Sequence, residues 1–75
     1  MTPVKTLDVL GLKCPEPVMM IRKSMRELQS GDHLKVIADD PSTERDVPKF
    51  CQFMDHRLIE MSRDNNQWTF IIEKG

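Results

Sequence analysis

The residues best suited to covalent chemistry lie between a short apolar run and a helical pattern, in the stretch Cys14-Pro15-Glu16-Pro17. Proline fixes φ near the helical value and lacks an N–H, so two prolines at this spacing are typical of a helix's first turn. The pattern predicts Cys14 at the N-cap, with its sulfur facing the helix dipole and the N–H groups of Glu16 and Val18. Such a setting should lower the thiol pKa and make Cys14 a nucleophile.

The alternative for Cys14 is a small apolar residue packed under the helix start, since free cysteines are often buried. The flanking prolines favour the nucleophile, because a core residue needs no such rigid support. Cys51 lies on the inner stripe of a second predicted helix and is expected to be a core residue rather than a redox partner. A thioredoxin-like dithiol is not predicted, because the sequence has no Cys-x-x-Cys motif.

Other reactive side chains have simpler explanations than a site. His33 and His56 are expected at the surface, and their spacing from the cysteines fits no zinc site, so no metal is predicted. The pair Asp39 and Asp40 is explained by turn chemistry after a strand. Ser24 falls within a helix without a partner histidine, so no serine triad is predicted. The sequence also contains no glycine-rich cofactor loop, and no cofactor is expected.

Composition limits the possible functions. The 75 residues predict one domain, residues 1–75, with a small core. The charge balance of 11 basic against 12 acidic residues argues against broad binding to nucleic acid. The short apolar runs cannot span a membrane, and no signal peptide, transit or lipidation signal is recognised. We therefore expect a cytosolic protein with free thiols.

Hydrophobic periodicity predicts six elements. The predicted strands cover residues 4–10, 33–38, 57–63 and 68–73. The predicted helices cover 15–29 and a segment that begins with Asp46 as N-cap, and Gly31 is the expected left-handed stop of the first helix. The inward-facing residues of the two helices are Val18, Ile21, Met25 and Leu28, then Val47, Phe50, Cys51 and Met54.

The order β-α-β-α-β-β predicts an α+β protein, a two-layer α/β sandwich with a four-stranded mixed sheet. Right-handed crossovers place both helices on one face of the sheet. The outward strand residues are mostly polar, which leaves the other face in water. His33 is among them.

Helix 1 also carries a candidate docking surface. Met19 lies away from its core stripe, beside Arg22 and Arg26, and Met and Arg are enriched at protein interfaces. Phe53 lies off the helix 2 stripe, although single exposed apolar residues are common and need no explanation. Basic residues outnumber Glu16 around the thiol, which should favour the thiolate and attract an acidic partner. The predicted docking residues are Lys13, Glu16, Met19, Arg22, Arg26 and Phe53.

Two stretches carry a family resemblance. Residues 11–19 (GLKCPEPVM) resemble the Cys-Pro-x-Pro signature of the TusA (SirA-like) sulfur-carrier family, and residues 39–56 (DDPSTERDVPKFCQFMDH) are similar to its TusA branch more than to the paralogues. The resemblance implies a βαβαββ sandwich and a sulfurtransferase whose Cys14 carries a persulfide. Cys51 matches a second cysteine that is not the carrier.

The resemblance also implies partners. Sulfur would come from a cysteine desulfurase and pass to a relay complex of DsrE-like (TusBCD-like) proteins, for the 2-thio group of tRNA wobble uridine; some relatives also feed molybdenum-cofactor synthesis. We expect a monomer that does not itself bind nucleic acid. Two other functions stay open: a thiol redox protein using Cys14, with or without Cys51, and a non-enzymatic regulatory binding module in which the thiol is incidental.

Overall fold

The computed structural model describes residues 3–75, so the first two residues of the predicted domain lie outside it. It confirms the order β-α-β-α-β-β. The elements are β1 (Lys5–Asp8), α1 (Glu16–Arg26), β2 (His33–Ala38), α2 (Thr43–Phe53), β3 (Arg57–Asp64) and β4 (Gln67–Glu73).

The four strands form one mixed sheet in the order β1-β2-β4-β3. β1 and β2 are parallel neighbours, with Leu7 opposite Val36, whereas β4 pairs antiparallel with both β2 and β3. Because parallel strands end at the same edge of a sheet, the segments that follow β1 and β2 are brought together. Those segments, residues 9–15 and 39–42, contain the candidate nucleophile and the aspartate pair.

Both helices pack on one face of the sheet, as predicted. Alternate residues of β2 and β4 point to this face and are almost fully buried, and the helices add their apolar stripes. The buried core consists of Val9, Ile21, Met25, Leu28, Leu34, Val36, Ala38, Val47, Phe50, Cys51, Trp68, Phe70 and Ile72. Together they form the apolar layer expected of a two-layer sandwich.

The helix boundaries differ from the predicted ones. α1 is shorter at both ends, although Leu28 stays in the core beyond it. α2 begins three residues before Asp46, with Ser42 as N-cap, so Pro48 lies inside the helix rather than in its first turn. The hydroxyl of Thr43 donates to the backbone oxygen of Asp40 (2.7 Å), which ties the helix start to the end of β2. Met54 was predicted in the core stripe, but it follows the helix and is 38% exposed.

The outer face of the sheet is more protected at one point than predicted. His33 was expected at the surface but is only 4% exposed. It lies directly opposite Glu73 of β4, and its Nε2 is 3.0 Å from the carboxylate. The antiparallel neighbour therefore covers the imidazole and provides a partner for it.

One local prediction is confirmed by the backbone. Gly31 has φ +91°, the left-handed conformation expected after the first helix. A two-residue turn, Asn65 and Asn66, joins β3 to β4, with Asn65 at φ 59°. Within residues 3–75, neither helix has the length and apolar character needed to cross a bilayer.

Candidate functional site

Cys14 is an exposed free thiol in the segment that connects β1 to α1. It precedes the helix by one residue more than predicted, because Pro15 occupies the N-cap position and Glu16 begins the helix. The bond between Cys14 and Pro15 is cis. Pro17 lies in the first turn and is buried, so the two prolines enclose the helix start without covering the sulfur.

The predicted hydrogen bonds from the helix start to the sulfur are not present. No side chain caps α1, and the N–H of Glu16 donates to the backbone oxygen of Lys13 (2.8 Å). Pro17 has no N–H to donate. The sulfur therefore lacks the helix-start donors on which the predicted lowering of its pKa depends.

Asp40 holds residues 9–15, the cysteine segment, in place. Its Oδ2 accepts hydrogen bonds from the backbone N–H of Cys14 (2.7 Å) and from the hydroxyl of Ser42 (2.9 Å), while Oδ1 accepts from the N–H of Ser42 (3.1 Å). Beside it, Asp39 accepts from the N–H of Gly11 (3.0 Å). The N–H groups of Ser42 and Cys14 hold the pKa of the Asp40 carboxyl below its usual 3.8, with the Ser42 N–H contributing most. The aspartate pair thus joins two loops and does more than end a strand.

Asp46 contacts the sulfur itself. The Cys14 thiol donates a hydrogen bond to Asp46 Oδ2 (3.4 Å), and Arg45 Nε binds the other carboxylate oxygen (3.0 Å). This hydrogen bond is the main reason that the pKa of the Cys14 thiol is raised above 9.0. Partial desolvation and the charges of Asp46 and Asp40 act in the same direction, and Ser42 opposes them. The predicted lowering of the thiol pKa is therefore wrong.

Three of the basic residues predicted around the thiol are displaced from it. Arg22, Lys23 and Arg26 line a shallow groove of about 180 Å³ together with Met19, and Cys14 is not part of that groove. The carboxylates of Asp40 and Asp46 approach the cysteine instead.

An open apolar cleft of about 430 Å³ begins at Cys14 and runs between the two helices. Its lining consists of Cys14, Pro15, Val18, Asp46, Lys49, Phe50 and Phe53. Phe53 is 86% exposed, the most exposed large apolar side chain within residues 3–75, and Met19 is 62% exposed. A chain that entered this cleft could bring its reactive atom to the sulfur while covering Phe53.

The predicted docking residues thus fall into two groups. Phe53 lies in the cleft that contains the thiol, whereas Met19, Arg22 and Arg26 line the neighbouring groove on α1. Lys13 and Glu16, which flank the cysteine segment, are exposed.

Cys51 lies in the core, on the inner side of α2. Its side chain is 2% exposed, and burial raises the pKa of its thiol to about 11. A buried, protonated thiol is a poor nucleophile. This environment agrees with the core role predicted for Cys51 and disfavours a redox cycle that needs both cysteines.

Asp40 and Asp46 are the site residues that the sequence did not indicate as such. Asp40 was attributed to turn chemistry and Asp46 to a helix cap. Their proximity to Cys14 depends on the parallel pairing of β1 and β2, which brings the two loops together. The one available signal was that both lie in residues 39–56, the second stretch of the family resemblance.

The fold and site define a small two-layer α+β protein with an exposed cysteine before its first helix. A model of the family described as sulfurtransferase TusA matches residues 5–74, and the chain belongs to this family. Among solved structures, it is similar to the SirA-like protein of Desulfitobacterium hafniense, with 29% identity and a TM-score of 0.82. That alignment covers 95% of this chain and 97% of the other. Membership supports a role in sulfur transfer.

Proposed function

We propose that this protein is a sulfur carrier of the cytoplasm that takes up sulfur as a persulfide on Cys14. The observation that carries the proposal is the exposure of this thiol at the mouth of an apolar cleft, in a chain of the TusA sulfurtransferase family. A carrier must present its sulfur to two different proteins in turn, so its reactive atom has to be accessible from outside.

The uptake step is an exchange between sulfur atoms. The Cys14 thiolate attacks the outer sulfur of a persulfide on a cysteine desulfurase, a new S–S bond forms on Cys14, and the bond within the donor breaks. The donor cysteine leaves as a thiolate, and the proton of the Cys14 thiol goes to water. The hydrogen bond to Asp46 raises the pKa of the Cys14 thiol, which disfavours the thiolate in the free protein. The donor complex is proposed to capture this disfavoured form.

The carried sulfur then passes to an acceptor cysteine. We propose a DsrE-like relay complex as the acceptor and the 2-thio group of tRNA wobble uridine as the destination. The carrier itself is proposed to be a monomer that does not bind tRNA directly. Its net charge of −1 gives no general attraction to phosphates, which supports delivery through a protein relay.

The donor is proposed to dock on the surface made of Met19, Arg22, Arg26 and Phe53, flanked by Lys13 and Glu16. Met19→Ala and Arg22→Glu should slow sulfur acceptance without changing the melting temperature, because both side chains are exposed. Phe53→Ala removes an 86% exposed ring and should act in the same way. Lys23→Glu is the control for the charge reversal, since it lies on the same groove outside the proposed set. Unchanged loading rates in all three variants would refute this surface.

The central test is a loading assay. The protein is incubated with radiolabelled cysteine and a cysteine desulfurase, then separated on a non-reducing gel beside Cys14→Ser and Cys51→Ser. Reductant-sensitive label should appear on the wild type and on Cys51→Ser, but not on Cys14→Ser. An unlabelled wild type beside an active cognate desulfurase would reject the carrier function. Label lost in Cys51→Ser as well would favour the two-cysteine redox alternative.

A further inference from the structure

Asp46 is placed to act on the sulfur in both states of the carrier. Its Oδ2 accepts the hydrogen bond from the Cys14 thiol at 3.4 Å, and its Oδ1 is bound by Arg45 at 3.0 Å, which fixes the carboxylate plane. The side chain is 24% exposed and forms part of the cleft wall beside the cysteine. It is the carboxylate that contacts the reacting sulfur directly.

The same carboxylate can reach the outer sulfur once it has been loaded. An S–S bond is about 2 Å long. Because Oδ2 lies 3.4 Å from Cys14 Sγ, rotation about the Cβ–Sγ bond brings the outer sulfur into hydrogen-bond range of that oxygen. A negative charge on the persulfide is unfavourable next to the charges of Asp46 and Asp40, whereas a protonated S–SH group donates a hydrogen bond to Asp46.

Protonation of the carried sulfur decides its reactivity. An ionised persulfide is an electron-rich nucleophile, whereas the protonated form presents an outer sulfur that an acceptor thiolate can attack. In delivery, the acceptor thiolate forms a bond to the outer sulfur, the bond from that sulfur to Cys14 breaks, and the proton stays on the transferred sulfur. Cys14 leaves as a thiolate and regains a proton from water, so no oxidant or reductant is required.

We infer that Asp46 favours the protonated form of the sulfur on Cys14, as a thiol before loading and as a persulfide afterwards, and so increases the share of carried sulfur in the form that an acceptor thiolate attacks. This inference rests on the proposed carrier function and assigns Asp46 a role in it. It also explains why the thiol faces a carboxylate, an arrangement that would be unsuitable for a fast nucleophile.

Other charged and hydrogen-bonding groups also lie around the sulfur. Asp40 acts in the same direction as Asp46 through its charge, and the hydroxyl of Ser42 opposes both. Lys49 of α2 lines the cleft, and Lys13 belongs to the cysteine segment itself. Of these groups, Asp46 can be changed without breaking the hydrogen bonds that fasten the cysteine segment to Asp40.

The test uses Asp46→Asn, which keeps the shape of the side chain, and Asp46→Glu, which restores the charge. Glu44→Gln is the matched control, because it removes one exposed charge from the same helix without contact to the sulfur. Alkylation of Cys14 by iodoacetamide is followed by mass spectrometry as a function of pH. The midpoint should shift to lower pH in Asp46→Asn, return towards the wild-type value in Asp46→Glu, and stay unchanged in Glu44→Gln.

The loaded state is tested after chemical loading with inorganic polysulfide, which needs no desulfurase. At pH 7, Asp46→Asn should deliver sulfur to glutathione more slowly and should be alkylated on the outer sulfur more rapidly than wild type. Profiles of Asp46→Asn that coincide with wild type in both states would overturn the inference, and a shift confined to the thiol would overturn the role in delivery. Failure of enzymatic loading, with polysulfide loading intact, would count against the proposed donor alone.

Discussion

Replacing Asp40 by asparagine should loosen the segment that carries Cys14. The carboxylate accepts three hydrogen bonds, two of them from the backbone N–H groups of Cys14 and Ser42 on different oxygens. An amide has one oxygen, so in Asp40→Asn at least one of these N–H groups must face the NH₂ group instead. The substitution therefore leaves at least one charge-assisted hydrogen bond unmade.

The expected cost follows from that loss. A hydrogen bond to a charged group contributes about 1.5–3 kcal/mol, and a partly buried donor without a partner falls in the same range. A chain of 75 residues has a total stability of about 4–11 kcal/mol, so the loss is a large fraction. For a domain of this size the melting temperature should fall by about 6–24 °C.

The assay is urea unfolding at pH 7, monitored by the fluorescence of Trp68, whose side chain is 2% exposed in the fold. Asp64→Asn is the control, since it makes the same substitution at an exposed strand end and should change stability by less than about 0.5 kcal/mol. A difference between the two variants of less than about 0.5 kcal/mol would refute the argument that Asp40 fastens the cysteine segment.

Three further predictions follow from named residues. Folding lowers the pKa of Asp40 below 3.8, so its carboxylate stabilises the fold above pH 3.8 and this stabilisation is lost as the pH falls through the lowered pKa. The difference in unfolding free energy between wild type and Asp40→Asn should therefore close when unfolding is measured at successively lower pH. Gly31→Ala should cost about 1 kcal/mol in thermal unfolding because φ is +91°, although a Cβ there meets no atom within 4 Å, and Gly31→Asn should cost less. Cys51 should resist iodoacetamide at pH 8 until guanidinium unfolds the protein, whereas Cys14 reacts in the folded state; equal labelling in the folded protein would contradict its burial.

The elements were predictable where short-range periodicity decides the structure. β2 has the predicted bounds because Leu34, Val36 and Ala38 alternate with half-buried or paired residues. The start of α2 was misplaced although its determinants are local, since Thr43 donates to Asp40 only three residues earlier and Ser42 is a preferred type of N-cap residue. His33 was misassigned for a non-local reason, since its partner Glu73 becomes a neighbour only through the pairing of β2 with β4.

The electrostatics of the site were predicted with the wrong sign for the same physical reason. Chain neighbours alone suggested that Lys13 and the helix start would stabilise a thiolate, but hydrogen-bond geometry decides the outcome. The N–H of Glu16 already donates to the backbone oxygen of Lys13. Asp46, which is 32 positions from Cys14 in the sequence, supplies the carboxylate that contacts the sulfur. Local sequence therefore indicated Cys14 as the candidate nucleophile but could not indicate the carboxylate that accepts a hydrogen bond from it.

This arrangement suits a carrier better than it suits an independent enzyme. An accessible thiolate in the free protein would react with any oxidant or disulfide, whereas the hydrogen bond to Asp46 favours the less reactive thiol while the cleft is empty. A donor protein that presented a cation to Asp46 would compete for the carboxylate that accepts the hydrogen bond from Cys14. The thiol would then ionise more easily at the moment of docking. Reactivity would then be coupled to docking, so the specificity of transfer would reside in the protein–protein complex rather than in the thiol.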